Sequence, residues 1–195
     1  MFAGLNWAGA QANYGEFRWG LTAGANFANA SSNGDVEKEK GKTGFVGGAF
    51  CKIPIKSYVS IRPELLFTMK GSTYNFPSDV VGHTDKLEFA LNYIELPVSV
   101  DFELYGIVDL HAGVQGAYLI SNKVNLNGSE GRTSDDIEKG EFGWHIGTGI
   151  DFGNIGLHVR YQQSLTSFYD KITFGAGTVD LKNWGISLTA AYMFL

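Results

Sequence analysis

Residues 17–28 read FRWGLTAGANFA and residues 142–152 read FGWHIGTGIDF, and these two stretches decide the fold. In both, apolar residues recur at nearly every second position, with glycine, polar or charged residues between them. Successive side chains of a β-strand point to opposite faces of the sheet. Each stretch therefore predicts a strand with one apolar face and one polar face.

The same alternation recurs along the chain and predicts eight strands. The predicted strands are residues 17–28, 43–53, 58–70, 86–102, 108–120, 142–152, 155–164 and 184–194. The connections alternate in length: those at 29–42, 71–85, 121–140 and 165–181 are long, and those at 54–56, 103–106 and 153–154 are short. This order places the long connections at one rim of an up-and-down barrel and the short turns at the other, as in bacterial outer-membrane barrels.

The apolar faces are predicted to contact lipid. No stretch of about 18 apolar residues occurs, so a spanning helix is excluded and a closed barrel is the remaining way to cross a membrane. Aromatic residues near the ends of the predicted strands suit the two membrane interfaces. A soluble barrel or sandwich is the alternative, but its polar face usually carries scattered lysine and glutamate, whereas here glycine, serine and threonine dominate. The prediction is an all-β, eight-stranded antiparallel up-and-down transmembrane β-barrel in the outer membrane of a Gram-negative bacterium.

The domain organisation predicted from the sequence is simple. Ala10-Gln11-Ala12 has the small-x-small form of a signal-peptidase site, so residues 1–14 are interpreted as a leader or a signal-peptide remnant. Residues 15–195 form the barrel domain. Within it, residues 86–102 change phase: the apolar positions are odd up to Tyr93 and even from Ile94 onward. A β-bulge near Tyr93 is the expected cause, since one inserted residue reverses every later side chain.

The order of several short motifs resembles a known family. These motifs are Trp19-Gly20-Leu21, Arg62-Pro63-Glu64-Leu65-Leu66-Phe67, Asn92-Tyr93-Ile94-Glu95-Leu96-Pro97-Val98, Gly147-Thr148-Gly149 and Arg160-Tyr161. Together they resemble the PorT-like outer-membrane β-barrel domain of Bacteroidota over nearly the whole chain. The resemblance implies an eight-stranded outer-membrane barrel and does not imply one activity.

The polar faces of the strands carry charges that should meet inside the barrel. Arg62, Glu64, Glu95 and Arg160 are predicted to form one structural network in the lumen, because unpaired charges buried there would each cost several kcal/mol. A proton or ion relay is the functional alternative for these charges. An open pore is not expected, because side chains fill the interior of an eight-stranded barrel.

The sequence predicts no catalytic residues, no cofactor and no metal site. It lacks the G-x-S-x-G, H-E-x-x-H and C-x-x-C motifs, and the single cysteine, Cys51, excludes an internal disulfide. The predicted function is a non-enzymatic barrel whose long loops bind an envelope protein or a surface ligand. An enzyme acting on lipid or peptide at the loop rim, with Ser164, His158 and Asp170 as its residues, is the alternative. A lipocalin-like carrier is a third possible function. Calcium binding through the oxygen ligands of the acidic residues in 121–140 is the alternative to the absence of a metal site. The net charge of -5 argues against nucleic-acid binding.

Overall fold

The computed structural model describes residues 16–32, 40–77, 84–126, 129–132, 139–166, 169–174 and 177–194. The strands in these ranges are β1 Arg18–Ser32, β2 Lys40–Lys56, β3 Val59–Pro77, β4 Thr84–Leu104, β5 Val108–Leu126, β6 Ser129–Arg132, β7 Gly140–Phe152, β8 Ile155–Ser164, β9 Tyr169–Phe174 and β10 Gly177–Phe194. None of the described residues belongs to a helix long and apolar enough to cross a membrane. The predicted leader, residues 1–14, lies outside the described residues.

Eight of these strands form a closed antiparallel barrel. Their order around the barrel is β1-β2-β3-β4-β5-β7-β8-β10, and β10 closes it by pairing with β1. The closing register runs from Trp19 opposite Phe194 to Ser32 opposite Leu181. The short strands β6 and β9 pair with β5 and β10 inside the long connections. The predicted eight-stranded up-and-down barrel is confirmed.

The barrel is apolar outside and polar inside. Leu21, Leu65, Leu96 and Leu157 are each more than half exposed, although they lie in the middle of regular strands. Burying such a side chain normally contributes about 1.5 to 3 kcal/mol, so a wall of exposed leucines is stable only when lipid covers it. In β1 the outward residues are the odd-numbered ones, as the alternation predicts.

Aromatic contacts mark both edges of the apolar band. At the end where the short turns lie, the rings of Trp19 and Phe194 stack with their centroids 4.4 Å apart. At the opposite end, Tyr161 lies between Trp144 and Trp184, with ring centroids 5.6 and 6.3 Å away. These two groups occupy the positions of the interfacial girdles that the sequence predicts.

The three short turns have local causes, and two of them are displaced from their predicted positions. Residues 54–56 still belong to β2, and the turn follows at Ser57 and Tyr58. The next turn occupies residues 105–107, where Gly106 has φ of 72° and Tyr105, at 51°, is held in the left-handed region without being glycine. The turn at Gly153, with φ of 59°, lies where it was predicted.

The strands extend far into the predicted long connections, which is a correction to the sequence prediction. β3 continues to Pro77 and β4 begins at Thr84, so most of the predicted loop at 71–85 is paired strand. Likewise β5 runs to Leu126, and β9 and the start of β10 lie within 165–181. Gly71 and Asn75 locally favour a turn, but continuous pairing with β4 overrides this weak preference.

A bulge does lie at the predicted position beside Tyr93, but the neighbouring strand carries it. The pairing of β4 with β5 does shift between Asn92 and Tyr93, but the partners jump from Ser121 to Leu119, so the extra residue is Ile120 on β5. Odd-numbered residues of β4 face inward throughout 91–101. The apolar positions change from odd to even along β4 because two inward residues, Leu91 and Tyr93, are apolar. Their side chains fill the lumen and are 1% and 0% exposed.

Candidate functional site

The described part of the lumen is lined by buried charged side chains from β1, β2, β3, β4, β5, β7 and β8. Those buried there are Arg18, Lys52, Arg62, Glu64, Lys70, Glu95, Asp101, Asp109, His111, Glu141, His145, His158 and Arg160. Charges in a low-dielectric interior are stable only when they are paired and hydrogen-bonded. The contacts among them divide into three clusters, which follow one another along the barrel axis.

The loop-side cluster consists of Lys70, Glu95 and Glu141. Lys70 Nζ lies 2.7 Å from Glu95 Oε1 and 2.9 Å from Glu141 Oε1. Thr68 donates a hydrogen bond to Glu95 Oε2 at 2.9 Å, and Asn183 donates one to Glu141 Oε2 at 2.9 Å. One ammonium group thus pairs with two carboxylates from β4 and β7, two strands that β5 separates.

The central cluster consists of Arg62, Glu64 and Arg160. The Arg160 guanidinium donates a hydrogen bond to Glu64 Oε1, and Arg62 Nε lies 3.4 Å from the same oxygen. The Arg62 guanidinium also stands 4.4 Å from the centre of the Phe50 ring, in a cation–π contact. Glu64 on β3 and Arg160 on β8 belong to strands that are not neighbours, so their contact crosses the lumen.

The turn-side cluster is built around Lys52. Its Nζ lies 3.0 Å from Asp151 Oδ2, 3.3 Å from both Asp109 Oδ2 and Glu103 Oε1, and 3.9 Å from Asp101 Oδ2. Arg18 adds a second cation, 2.7 Å from Glu103 Oε1. Arg62 joins this cluster to the central one, since its Nη1 is 3.8 Å from Asp101 Oδ2.

Three histidines line the wall between the turn-side and central clusters. His111 Nδ1 lies 2.7 Å from Asp109 Oδ1, and His158 Nε2 lies 3.1 Å from Asp151 Oδ1. The ring of His111 has its centroid 6.1 Å from that of His158 and 6.3 Å from that of His145. Both ring nitrogens of His145 lack a hydrogen-bond partner among the described residues.

The structure brings together three of the four residues predicted to form one network. Arg62, Glu64 and Arg160 are in direct contact in the central cluster. Glu95 does not join them; it pairs with Lys70 and Thr68 in the loop-side cluster. The reason is the stagger of the strands, which sets the height of each inward residue and cannot be obtained from one strand alone.

Sequence reasoning missed Lys52, the centre of the turn-side cluster. The signal was present, because Lys52 follows Phe50 on the inward face of β2, where both side chains are buried. Glu103 lies within β4, one residue beyond the predicted strand 86–102, and binds Arg18 and Lys52. Lys52 lies inside the predicted strand 43–53, so alternation alone indicates its inward position, and one further residue of alternation in β4 indicates that of Glu103.

The enzyme alternative based on Ser164, His158 and Asp170 is not supported by the geometry. Ser164 and His158 lie on the same strand, six residues and therefore roughly 20 Å apart. The Ser164 hydroxyl donates a hydrogen bond to Glu141, whereas His158 lies among Asp109, Asp151 and Arg62. The side chain of Asp170 lies outside the described residues.

A closed barrel with an apolar exterior, aromatic girdles and a lumen of paired charges defines the class of the protein as an outer-membrane β-barrel. Residues 9–170 match the family described as outer membrane protein beta-barrel domain. The chain belongs to that family, and it resides in the outer membrane of a Gram-negative bacterium. No curated protein matches the chain in sequence.

Solved structures show the same fold at low sequence identity. Ail, the attachment invasion locus protein of Yersinia pestis, in complex with the heparin analogue sucrose octasulfate, matches with a TM-score of 0.55 and 14% identity, covering 92% of this chain and 99% of that chain. OprG of Pseudomonas aeruginosa matches with a TM-score of 0.50 and 9% identity, covering 93% of this chain and 97% of that chain. At these identities the similarity establishes the fold alone.

Proposed function

We propose that this protein is a non-enzymatic barrel that presents its long connections to a partner outside the membrane, either an envelope protein or a surface ligand. The observation that carries the proposal is the length of the strands. A tilted transmembrane strand needs about 9 to 11 residues, whereas β3 has 19 residues and β4 has 21. The pairing of β3 with β4 reaches from Val59 opposite Phe102 to Pro77 opposite Thr84.

The outer part of the barrel therefore stands above the lipid. In β7 the apolar band runs from Phe142 to Phe152, and on β5 the exposed residues become polar at Ser121 and Lys123. β5 continues beyond this boundary to Leu126, still paired with β4. A paired sheet is a rigid support, and binding residues concentrate in loops that a rigid scaffold positions.

The contacts in the lumen also favour partner binding at the rim, because the described charges there pair with one another. Every member of the loop-side and central clusters takes part in an ion pair of 2.7 to 3.4 Å or in a shorter one. Their members are less than 9% exposed, so a ligand would have to break buried ion pairs to reach them. That cost makes these two parts of the lumen poor sites for a partner and favours the rim as the partner-binding surface.

The charge of the long connections restricts the chemistry of the partner. Residues 29–42, 71–85, 121–140 and 165–181 together carry eleven acidic and seven basic side chains. The heparin analogue bound by Ail is a polyanion. An acidic rim disfavours such a ligand and suits a neutral or cationic partner surface. The resemblance of residues 92–98 to the PorT-like signature supports placing the chain in that branch of the family.

A loop replacement tests the proposal. A Gly-Ser linker in place of residues 127–138 leaves the β4–β5 pairing intact, since β5 ends at Leu126. We expect the variant to keep heat-modifiable gel migration and to lose the partner that co-purifies with the wild type from native membranes. Arg160→Gln, if it folds, is the matched lumen variant and should keep the partner. The opposite pattern would assign the function to the lumen.

The enzyme alternative has its own test. The folded wild-type barrel is assayed for lipid deacylation and peptide hydrolysis, beside the 127–138 replacement. We expect no activity from either protein. Turnover by the wild type that disappears on loop replacement would overturn the non-enzymatic assignment while keeping the rim as the functional surface.

A further inference from the structure

We propose that Asp109, His111 and His158 form a binding site for a divalent transition-metal cation such as Zn²⁺, within the turn-side half of the lumen. Asp109 Oδ1 lies 2.7 Å from His111 Nδ1 and 3.7 Å from His158 Nδ1. All three residues offer a ligand atom within 4.8 Å of the others. Ligand atoms of tetrahedral zinc are about 3.3 Å apart when the metal–ligand distance is about 2.05 Å, so small movements close the site.

Neighbouring residues hold these groups as the outer ligands of a metal site do. A metal-binding histidine usually directs its other ring nitrogen at a carboxylate, and His158 Nε2 lies 3.1 Å from Asp151 Oδ1. Lys52 occupies Asp109 Oδ2 and Asp151 Oδ2, so Asp109 Oδ1 remains on the side of the histidines. Arg62 Nη1 lies 3.5 Å from His158 Nδ1, a long contact that a metal can displace.

An unpartnered nitrogen at the same place is an independent observation. His111 is 2% exposed, and its Nε2 has no hydrogen-bond partner among the described residues. A buried polar atom without a partner costs about 1 to 3 kcal/mol. The protein therefore satisfies only one nitrogen of the His111 ring, through the contact of Nδ1 with Asp109 Oδ1.

The strand between the two rings, β7, places a glycine beside each of them. A Cβ at Gly149 would lie 2.8 Å from His158 Cγ, and one at Gly147 would lie 2.8 Å from His111 Cε1. Any larger residue at either position would push a ring away from Asp109. The glycines of β7 therefore allow two imidazoles and a carboxylate to converge in a narrow barrel.

Charge and access also suit a cation. The ion pairs that connect the central and turn-side clusters join four cationic side chains, Arg18, Lys52, Arg62 and Arg160, to five carboxylates, Glu64, Asp101, Glu103, Asp109 and Asp151. With neutral histidines, one negative charge is left for a cation to offset. Asp109 and Asp151 also line a narrow cleft at the turn rim, the side from which a cation would approach.

The types of ligand atom determine which metals the site would bind. Imidazole nitrogens favour zinc, copper and nickel, whereas calcium and magnesium prefer oxygen ligands. The site joins β5 to β8, which are separated by β7, so a bound metal would cross-link strands that do not pair. No metal motif is visible in the sequence, because Asp109 and His111 lie on β5 whereas His158 lies on β8.

Zinc titration of the folded, chelator-stripped barrel tests the proposal. Calorimetry should give one Zn²⁺ per chain, unaffected by excess Ca²⁺, and zinc-edge X-ray absorption should show imidazole scattering with nitrogen and oxygen ligands at about 2.0 to 2.1 Å. His111→Gln and His158→Gln should each weaken binding at least about tenfold. His145→Gln, a buried histidine outside the ligand set, should bind as the wild type does.

Heat-modifiable migration shows which variants are folded. If the variants do not fold, the zinc-edge spectrum of the wild type alone tests whether imidazole binds the metal. Absence of stoichiometric zinc binding by the folded wild type would overturn the proposal. So would a zinc spectrum without imidazole scattering, or wild-type affinity in both folded variants. None of these outcomes bears on the partner-binding role of the rim.

Discussion

Removing the Glu64 carboxylate should destabilise the barrel strongly. Glu64→Gln leaves Arg160 without a carboxylate partner among the described residues, while Arg62 keeps Asp101 at 3.8 Å. The attraction across the 3.4 Å between Arg62 and Glu64 is about 5 kcal/mol at an effective dielectric constant of about 20. Breaking a buried pair by removing one partner typically costs about 3 to 5 kcal/mol, so we expect the free energy of unfolding to fall by that amount.

The Glu64–Arg160 pair is best measured with a double-mutant cycle. Urea unfolding in lipid bilayers or micelles is followed for Glu64→Gln, Arg160→Gln and the double variant. Glu64→Gln leaves Arg160 unpaired and Arg160→Gln leaves Glu64 with Arg62 alone, whereas the double change removes both charges. The double variant should therefore be at least about 1 kcal/mol more stable than the sum of the two single effects predicts. Additivity within about 0.5 kcal/mol would refute a direct contact across the lumen.

Two further predictions concern the two faces of the wall. Leu21 lies near the middle of the apolar face of β1. Leu21→Arg should lower the free energy of unfolding in bilayers by about 2 to 4 kcal/mol beyond the effect of Leu21→Ala. Equal losses from the two substitutions would count against lipid contact at this face. Gly149→Ala should cost about 1 to 3 kcal/mol in the same assay, because its Cβ would meet the His158 ring. Gly140→Ala, with no atom within 4 Å of its Cβ, is the matched control and should change stability by less than about 0.5 kcal/mol.

The assignment of residues to the two faces was available from sequence wherever apolar and polar residues alternate. In β1 and β3 the outward and inward residues are those that the period of two indicates. The same rule failed in β4, because the lumen accepts apolar residues as well as polar ones. Leu91 and Tyr93 pack inside, so the hydrophobic phase changed while the strand remained regular.

The lengths of the strands could not be predicted from the sequence, for a different reason. Local turn signals such as Gly71 and Asn75 predict the end of a strand, but the pairing of β3 with β4 continues to Pro77. Each hydrogen bond with a neighbouring strand depends on residues distant in the chain. The extension above the lipid, on which the proposed function depends, is therefore visible only in the assembled sheet.

The sequence by itself determined the number of barrel strands, the side that meets lipid in strands such as β1 and β3, and the separation of long connections from short turns. These follow from side-chain alternation and turn chemistry, which are local. Only the tertiary structure decided that Glu64 meets Arg160, that Glu95 meets Lys70, and that Asp109, His111 and His158 converge. Contacts across a closed barrel depend on the stagger of all its strands at once, and no single strand encodes that stagger.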